Sequence, residues 1–257
     1  MEIFLQADTW GALVTLTFLE IVLGIDNIIF ISIAANKLPE SEQKKATNIG
    51  LFLAMLLRIG LLFGISVLIA MNAPFFHLDL SWFKAGFTGQ SLILFAGGLF
   101  LLYKSTKEIH HKVEGLDEHL LEEKPKKRHT IGQAIVQITL INIVFSFDSI
   151  LTAVGMTNGV NGAMIIMITS VVLSMIIMMV FANPVGKFVN QHPTIQMLGL
   201  AFLILIGFML IAEAAHLSHA KLFGQEIGAI PKGYLYFAIT FSLVVEMLNM
   251  RMRSKKK

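Results

Sequence analysis

Seven apolar segments of roughly 20 residues dominate the chain. A helix needs about 20 such residues to cross a hydrocarbon layer roughly 30 Å thick. Hydrophobic residues make up 55% of the 257 residues and charged residues only 14%, whereas soluble domains carry about 25% charged residues. We therefore predict an all-α, polytopic membrane protein with seven transmembrane helices. The predicted spans are residues 10–35, 49–73, 85–103, 131–157, 162–182, 195–215 and 234–250.

The basic residues of the connecting segments fall mostly on one side of the predicted membrane. Summed over alternate segments, 3 lysines and arginines lie on one side and 16 on the other, while Arg58 lies inside the second span. Because cytoplasmic loops are rich in Lys and Arg, we predict an external N-terminus and a cytoplasmic tail at residues 251–257. Short loops and a basic tail favour a bacterial plasma (inner) membrane. The small net charge of +3 leaves nucleic acid out as a partner.

Two spans carry nearly the same polar motif. Residues 20–29 read EIVLGIDNII and residues 142–151 read NIVFSFDSIL, so they align without a gap at an offset of 122. Spans three and six both end in Glu-x-x-His. We therefore predict that spans 1–3 and 4–6 are two copies of one unit, inverted because three is an odd number, as in many transporters. The predicted division is a first repeat at 1–103, a charged cytoplasmic linker at 104–130, a second repeat at 131–219, and a seventh helix with its tail at 220–257.

Three acidic residues, Glu20, Asp26 and Asp148, lie well inside their predicted spans. Each costs roughly 2.5–3.5 kcal/mol at a helix centre unless a cation, a buried Arg or protonation compensates it. Glu20 and Asp26 are six residues apart, which is about 240° around a straight helix, so they do not share a face. A local unwinding near Gly24 or Ser146 would turn the carboxylates toward one cavity.

The polar residues of the two motifs offer only oxygen ligands. Carboxylate, amide and hydroxyl oxygens suit hard divalent ions such as Mn²⁺, Mg²⁺ or Ca²⁺ rather than Cu⁺ or Zn²⁺. A structural polar network between the two helices is the alternative interpretation. The predicted metal site consists of Glu20, Asp26, Asn27, Asn142, Asp148 and Ser149.

Three further residues are secondary candidates. Arg58 needs a buried partner, either as a counter-charge that holds the empty acidic site or as half of a fixed structural ion pair. Glu213 and His216 form a one-turn pair near the predicted outer end of span six. They are either metal entry or exit ligands or an ordinary interfacial polar pair.

These motifs resemble those of the TerC family of integral membrane proteins, within the lysine-exporter-like superfamily. The resemblance covers essentially the whole chain and is most specific at residues 20–27, 142–149 and 192–213. It implies seven spans and manganese export, and in some members a supply of metal to enzymes outside the cytoplasm. It also implies that the six predicted ligands occupy the two polar motifs of the family and that Arg58 matches its second-span Arg.

The leading interpretation is a secondary transporter that exports a hard divalent cation, with Mn²⁺ favoured, through a carboxylate-lined site between inverted repeats. H⁺ is the expected coupling ion because carboxylates can exchange a cation for protons, and Na⁺ is the alternative. The sequence has no G-x-x-x-x-G-K-[ST] loop for ATP, and we expect neither enzymatic activity nor a prosthetic group. Besides the lipid bilayer, expected partners are secretion machinery or exported metalloenzymes. The alternative function is accordingly a membrane metallochaperone or a secretion-associated subunit.

Overall fold

The computed structural model describes residues 7–36, 38–64, 67, 71, 73–114, 130–157 and 162–254. Within them lie seven long helices and four short strands. The helices are α1 (Ala7–Ala35), α2 (Glu40–Phe63), α3 (Gly89–Val113), α4 (Ile131–Thr157), α5 (Ala163–Gln191), α6 (Pro193–Leu217) and α7 (Lys232–Ser254). The strands are β1 (Pro74–Asp79), β2 (Phe83–Thr88), β3 (Lys221–Leu222) and β4 (Gln225–Glu226).

The predicted predominance of membrane-length helices is confirmed. Among the described residues, α2, α5, α6 and α7 are long and apolar enough to cross a membrane by length and composition. Helices α1 and α4 contain shorter apolar stretches, Thr9–Ile21 and Ile131–Phe147. Large apolar side chains such as Phe18, Val180 and Phe208 are more than half exposed on these helices, an arrangement suited to lipid rather than water. That all seven helices span the bilayer stays a prediction.

Several predicted bounds differ from the observed ones. Helix α2 begins at Glu40 rather than at residue 49, because its charged first turns form helix without being apolar; Glu40 and Glu42 also complement the positive end of the helix dipole. Helix α3 begins at Gly89 rather than at residue 85. Thr88 caps it, accepting a 3.0 Å hydrogen bond from the Ser91 N–H, and residues 104–113 of the predicted linker continue the helix.

The chain forms two compact units, the first of which contains α1, α2, α4 and α5. In this unit α1 packs on α5 and α2 packs on α4. Gly24 contacts Met178 and Gly186 contacts Ser32, and the residues of each pair are 154 positions apart in the sequence. A constant offset along the contact means that α1 and α5 run parallel.

Helices α2 and α4 also run parallel. Gly50 contacts Ile138 near the start of their contact, and Arg58 bonds to Ser149 further along both helices. Ala46 and Ala134 belong to one buried apolar cluster, at the same offset of 88 that separates Gly50 from Ile138. Small residues at these positions let the helix backbones approach closely.

The second compact unit contains α3, α6, α7 and the strands. Helices α3 and α6 are antiparallel, since Lys112 near the end of α3 bonds to Gln196 near the start of α6. They cross at Gly98 and Gly207, where a Cβ built on Gly98 would lie 2.7 Å from the Gly207 carbonyl oxygen. Helix α7 packs on α6.

The prediction of an all-α fold is wrong in one respect, because the second unit also contains a small antiparallel sheet. Its strand order is β1-β2-β3-β4, and the Gly86 N–H of β2 donates a 2.8 Å hydrogen bond to the Ser218 carbonyl at the end of α6. Apolar residues at alternate positions of residues 74–88 favour strands, whereas the span prediction took only hydropathy into account.

Candidate metal and counter-charge site

A buried cluster of charged and polar side chains joins α1, α2 and α4 in the first unit. The Arg58 Nη2 group donates one hydrogen bond to Glu20 Oε1 and another to Ser149 Oγ. Each of the three residues is only 5% exposed. Because one guanidinium nitrogen contacts both acceptors, Glu20 on α1 and Ser149 on α4 lie at the same level of the unit.

The packing of α2 on α4 explains why Arg58 reaches this place. At the offset of 88 seen for Gly50 and Ile138, Arg58 lies level with Ser146, one turn before Ser149. Removing one partner of a buried ion pair costs about 3–5 kcal/mol, whereas replacing both partners with apolar groups is often neutral. An apolar pair could therefore provide the same stability, so stability alone does not explain why charged residues occupy these positions.

The polar side chains of α4 are also bonded to the backbone of their own helix. Ser149 Oγ lies 3.1 Å from the carbonyl oxygens of both Phe145 and Ser146, and the Ser146 hydroxyl donates to the Asn142 carbonyl at 2.6 Å. Asn142 is 2% exposed, and its Nδ2 donates to the Ile138 carbonyl at 3.1 Å. These bonds use donor hydrogens, so the oxygens of Asn142 and the two serines keep acceptor capacity for a cation.

Several polar atoms of α1, α2 and α4 are buried without a hydrogen-bond partner among the described residues. They are Glu20 Oε2, Arg58 Nε, Thr17 Oγ1, Thr139 Oγ1 and Asn48 Oδ1. A buried polar atom without a partner costs about 1–3 kcal/mol, so such atoms commonly serve a ligand or water. The second oxygen of Glu20 is thus a carboxylate acceptor that its Arg58 partner does not satisfy.

Thr17 and Thr139 are residues that the sequence analysis missed. They are 122 positions apart, so they are equivalent under the same offset that aligns the two polar motifs. Each precedes a predicted ligand by three residues, Glu20 or Asn142, and therefore neighbours it on the helix surface. Extending the motif alignment by one turn toward the N-terminus would have identified them.

The remaining ligands of the predicted site lie only partly within the described structure. The backbones of Asp26, Asn27 and Asp148 belong to α1 and α4, whereas their side chains lie outside the described residues. The expected unwinding near Gly24 and Ser146 is not present, because both helices continue through these positions. At Gly24 the sequence instead permits a close contact, since an added Cβ would lie 2.2 Å from Met178 Sδ.

Among the described side chains, no group of three or more His, Asp or Glu residues is placed to hold a metal ion. The structure brings Glu20, Arg58 and Ser149 together and places Asn142 on the same helix as Ser149. The six-residue metal site depends on the two aspartates and stays a prediction.

Glu213 and His216 lie elsewhere, near the C-terminal end of α6 in the second unit. Glu213 is half-buried and His216 is exposed. The corresponding glutamate near the C-terminal end of α3, Glu108, is buried and forms a 3.2 Å salt bridge with Lys104. No metal role for Glu213 or His216 follows from these positions.

Comparison with known proteins gives matches along the whole chain. The model of a family described as "Integral membrane protein TerC family" matches residues 5–257. A UPF0053 protein of Haemophilus influenzae is 44% identical over 250 residues, covering 97% of both chains. The UPF0053 inner membrane protein YgdQ of Escherichia coli is 43% identical over 249 residues, covering 97% of this chain and 95% of its own. The UPF0053 inner membrane protein YoaE of Escherichia coli is 41% identical over 255 residues, which are 97% of this chain but 44% of YoaE. No solved structure matches significantly.

Proposed function

The chain belongs to the TerC family of integral membrane proteins, and on this basis we propose that it is a secondary transporter exporting a hard divalent cation, Mn²⁺ first among them, across a bacterial inner membrane. The observation that carries the proposal is the buried Glu20–Arg58–Ser149 cluster. In it, one residue from each polar motif accepts a hydrogen bond from the positively charged guanidinium of Arg58 inside the first unit. Ionisable groups within membrane helices are rare and generally mark ion or substrate pathways.

The relative directions of the helices support an inverted repeat. If the second repeat enters the membrane from the opposite side, α4 runs parallel to α2, α5 runs parallel to α1, and α6 runs antiparallel to α3. The contacts within the two units have these three relations. A second repeat in the same orientation as the first would make α2 and α4 antiparallel. The contact at Gly98 and Gly207 is also reciprocal, because each glycine packs against the other and against the residue four positions beyond it.

The proposed repeat is broken at the site itself. The offset of 122 makes Gly24 on α1 equivalent to Ser146 on α4. Gly24 contacts Met178 on α5, and Ser146 lies level with Arg58 on α2. Arg58 and Met178 are therefore equivalent positions on α2 and α5. One half of the site accordingly holds a fixed positive charge where the other holds a thioether, so the proposed site is electrostatically asymmetric.

We assign Arg58 the role of a counter-charge in the metal-free state. Its guanidinium compensates Glu20 while the second oxygen of this carboxylate stays without a partner among the described residues. A divalent cation bound by Asp26, Asp148 and the neighbouring oxygens would compete with Arg58 for Glu20. Protons can replace the cation on the carboxylates during the return step, which is why H⁺ is the proposed coupling ion.

The decisive experiment is transport by the purified protein in sealed vesicles that contain a Mn²⁺-sensitive dye. Wild-type protein should move Mn²⁺, and an imposed pH gradient should change the rate. Asp26→Asn and Asp148→Asn should each lower transport about tenfold or more, since an amide lacks the formal charge that offsets the lost hydration of the ion. Because both residues act on one site, the double variant should be hardly worse than either single one.

Asp79→Asn is the matched control, because this exposed carboxylate of β1 pairs with Lys84 on the sheet, outside the site. It should leave transport unchanged. Normal transport per molecule by either site variant would overturn the site assignment. A wild-type protein that binds Mn²⁺ but does not move it would instead favour the metallochaperone or secretion-associated alternative. Competition by Mg²⁺ and Ca²⁺ measures the selectivity.

A further inference from the structure

The sheet of the second unit has one apolar and one polar face. Successive residues of a strand point to opposite faces, and directly paired residues of neighbouring strands share a face. The observed register therefore gives each face a distinct composition. The apolar face carries Phe76, Leu78, Phe83, Ala85, Phe87 and Leu222, with the uncharged Gln225 of β4 at its edge. The polar face carries His77, Asp79, Lys84, Lys221 and Glu226.

Part of the apolar face is uncovered in the described part of the protein: Leu222 is 40% exposed, Leu78, Phe83 and Phe87 are half-buried, and Ala85 is buried. Phe76 is 52% exposed, although its ring stacks on that of Phe87 at a centroid distance of 6.0 Å. The tip of the sheet is exposed as well, because Trp82 and Phe223 are 51% and 77% exposed. These two turn residues are joined by a 2.8 Å hydrogen bond from the Phe223 N–H to the Trp82 carbonyl. Such a cluster of exposed aromatic side chains is unusual on a surface that faces only water.

The polar face is suited to water. Lys84 Nζ forms a 2.7 Å salt bridge with Asp79, and both side chains are exposed. His219 Nδ1 lies 3.6 Å from Glu226 Oε1, also at the surface. The two faces of one thin sheet therefore require different surroundings.

The position of the sheet in the chain brings it close to the bilayer surface. The candidate span α6 ends at Leu217, and β3 begins at Lys221. Four extended residues reach at most about 14 Å, and the polar layer on each side of the hydrocarbon core is roughly 5–8 Å thick. The bond from Gly86 to Ser218 ties β2 to the same helix end. The sheet thus begins within or immediately beside the headgroup layer.

We propose that the sheet is an interfacial anchor, with its apolar face and its Trp82–Phe223 tip in the lipid headgroup region next to the C-terminal end of α6 and its polar face in water. Aromatic side chains are enriched at this depth because their amphipathic rings match the interface. A lipid surface is the occupant that the observations favour, because the sheet is attached to a span end and its charged residues are confined to one face.

Two adjacent residues of β3 provide a matched test. The chain contains no cysteine, so Leu222→Cys and Lys221→Cys each carry a single fluorescent label on opposite faces. The labelled proteins are reconstituted into vesicles of phosphatidylethanolamine and phosphatidylglycerol, with or without lipids brominated near the headgroup. Bromine should quench the label at position 222 about twofold or more strongly than that at position 221, because only the apolar face lies on lipid. Equal quenching at the two positions, weak or strong, would overturn the proposal.

Native tryptophan fluorescence gives an independent measurement on a protein without labels. The chain has two tryptophans, so Trp10→Phe leaves Trp82 as the only tryptophan, and Trp82→Phe leaves Trp10, at the start of the predicted first span, as the reference for an interfacial tryptophan. Shallow brominated lipids should quench Trp82 emission. Emission that bromination leaves unchanged would contradict the anchor, and a blue-shifted maximum in that case would identify a protein surface, such as a second copy, as the occupant. Unchanged elution and thermal unfolding confirm that each variant is folded.

Discussion

At the scale of single residues, the Glu20–Arg58 pair decides between a functional and a structural site. Both residues are 5% exposed, so the charges are held away from water and each depends on the other. A structural pair would contribute stability and nothing else. A counter-charge would also be needed for transport, even in a protein in which an apolar pair at the two positions provides the same stability.

Arg58→Met alone should therefore destabilise the protein by about 3–5 kcal/mol, because Glu20 is left buried without its partner. Combining it with Glu20→Leu should restore most of that stability, since an apolar pair can replace a buried ion pair at little cost. Transport by the double variant should nevertheless stay abolished. Thermal unfolding in detergent and transport in vesicles measure the two quantities separately, and a stable double variant with normal transport would leave the pair a structural role only.

Thr17 and Thr139 allow a test without any change of charge. Their hydroxyl oxygens are buried and have no partner among the described residues, so Thr→Val removes a polar atom and keeps the volume. The melting temperature should be unchanged or higher, because an unsatisfied buried hydroxyl costs about 1–3 kcal/mol. Transport should fall in both variants, since we expect these hydroxyls to serve the ion or its water. Thr169→Val is the control, because this hydroxyl already donates to the Ile165 carbonyl at 2.7 Å; transport equal to that of this control would contradict the expectation.

Sequence reasoning found part of this cluster, and its limits have a physical cause. Glu20, Ser149 and Arg58 were identifiable because charge and polar repetition inside apolar segments are rare. Their mutual contact was not, since it depends on the register of α2 against α4. The threonines escaped notice because a hydroxyl in a membrane helix is common and bonds to its own backbone, as Ser105 does to the Leu101 carbonyl at 2.6 Å.

At the scale of the elements, the crossing of α3 and α6 makes a quantitative prediction. A Cβ on Gly98 would lie 2.7 Å from the Gly207 carbonyl oxygen, so Gly98→Ala forces the two backbones apart. We expect a loss of about 1–3 kcal/mol, the usual cost of overpacking. In Gly155→Ala the added Cβ meets nothing within 4 Å, so this helical control should be neutral or stabilised by about 0.5–1 kcal/mol. Equal melting temperatures for the two variants would show that the helices do not cross at Gly98.

The bounds of a helix were predicted correctly where the helix and its apolar segment coincide. Helix α4 is apolar from its first residue, and its predicted bounds, residues 131–157, are the observed ones. Helix α2 was placed too late because its first turns carry Lys44 and Lys45, which lower hydropathy without preventing helix formation. The β1–β2 hairpin was taken for loop and span because its aromatic residues add to hydropathy, while their alternation is visible only at a period of two.

At the scale of the whole molecule, the compact units do not coincide with the predicted repeats. The first unit combines α1 and α2 with α4 and α5, and the second combines α3 with α6. Each unit therefore takes helices from both predicted repeats, as two inverted copies that exchange packing partners would. The sequence offset predicts a repeat but not this exchange, because the exchange depends on which helix faces pack together.

The arrangement predicts which ends of α2 and α5 share a side of the membrane. If these helices are equivalent members of inverted repeats, α2 begins on the side where α5 ends. The basic residues near these ends, Lys44 and Lys187, predict that this side is cytoplasmic. Lys44→Cys and Lys187→Cys should therefore react with a membrane-impermeant maleimide only in inverted vesicles, because the reagent cannot cross the bilayer. Lys221→Cys, on the polar face of the sheet, should react only from outside intact cells. All three positions are exposed and the chain has no natural cysteine, so absence of labelling reports sidedness rather than burial.

Labelling of Lys44→Cys and Lys187→Cys from opposite sides would mean that α2 and α5 have the same orientation, and the inverted repeat would have to be abandoned.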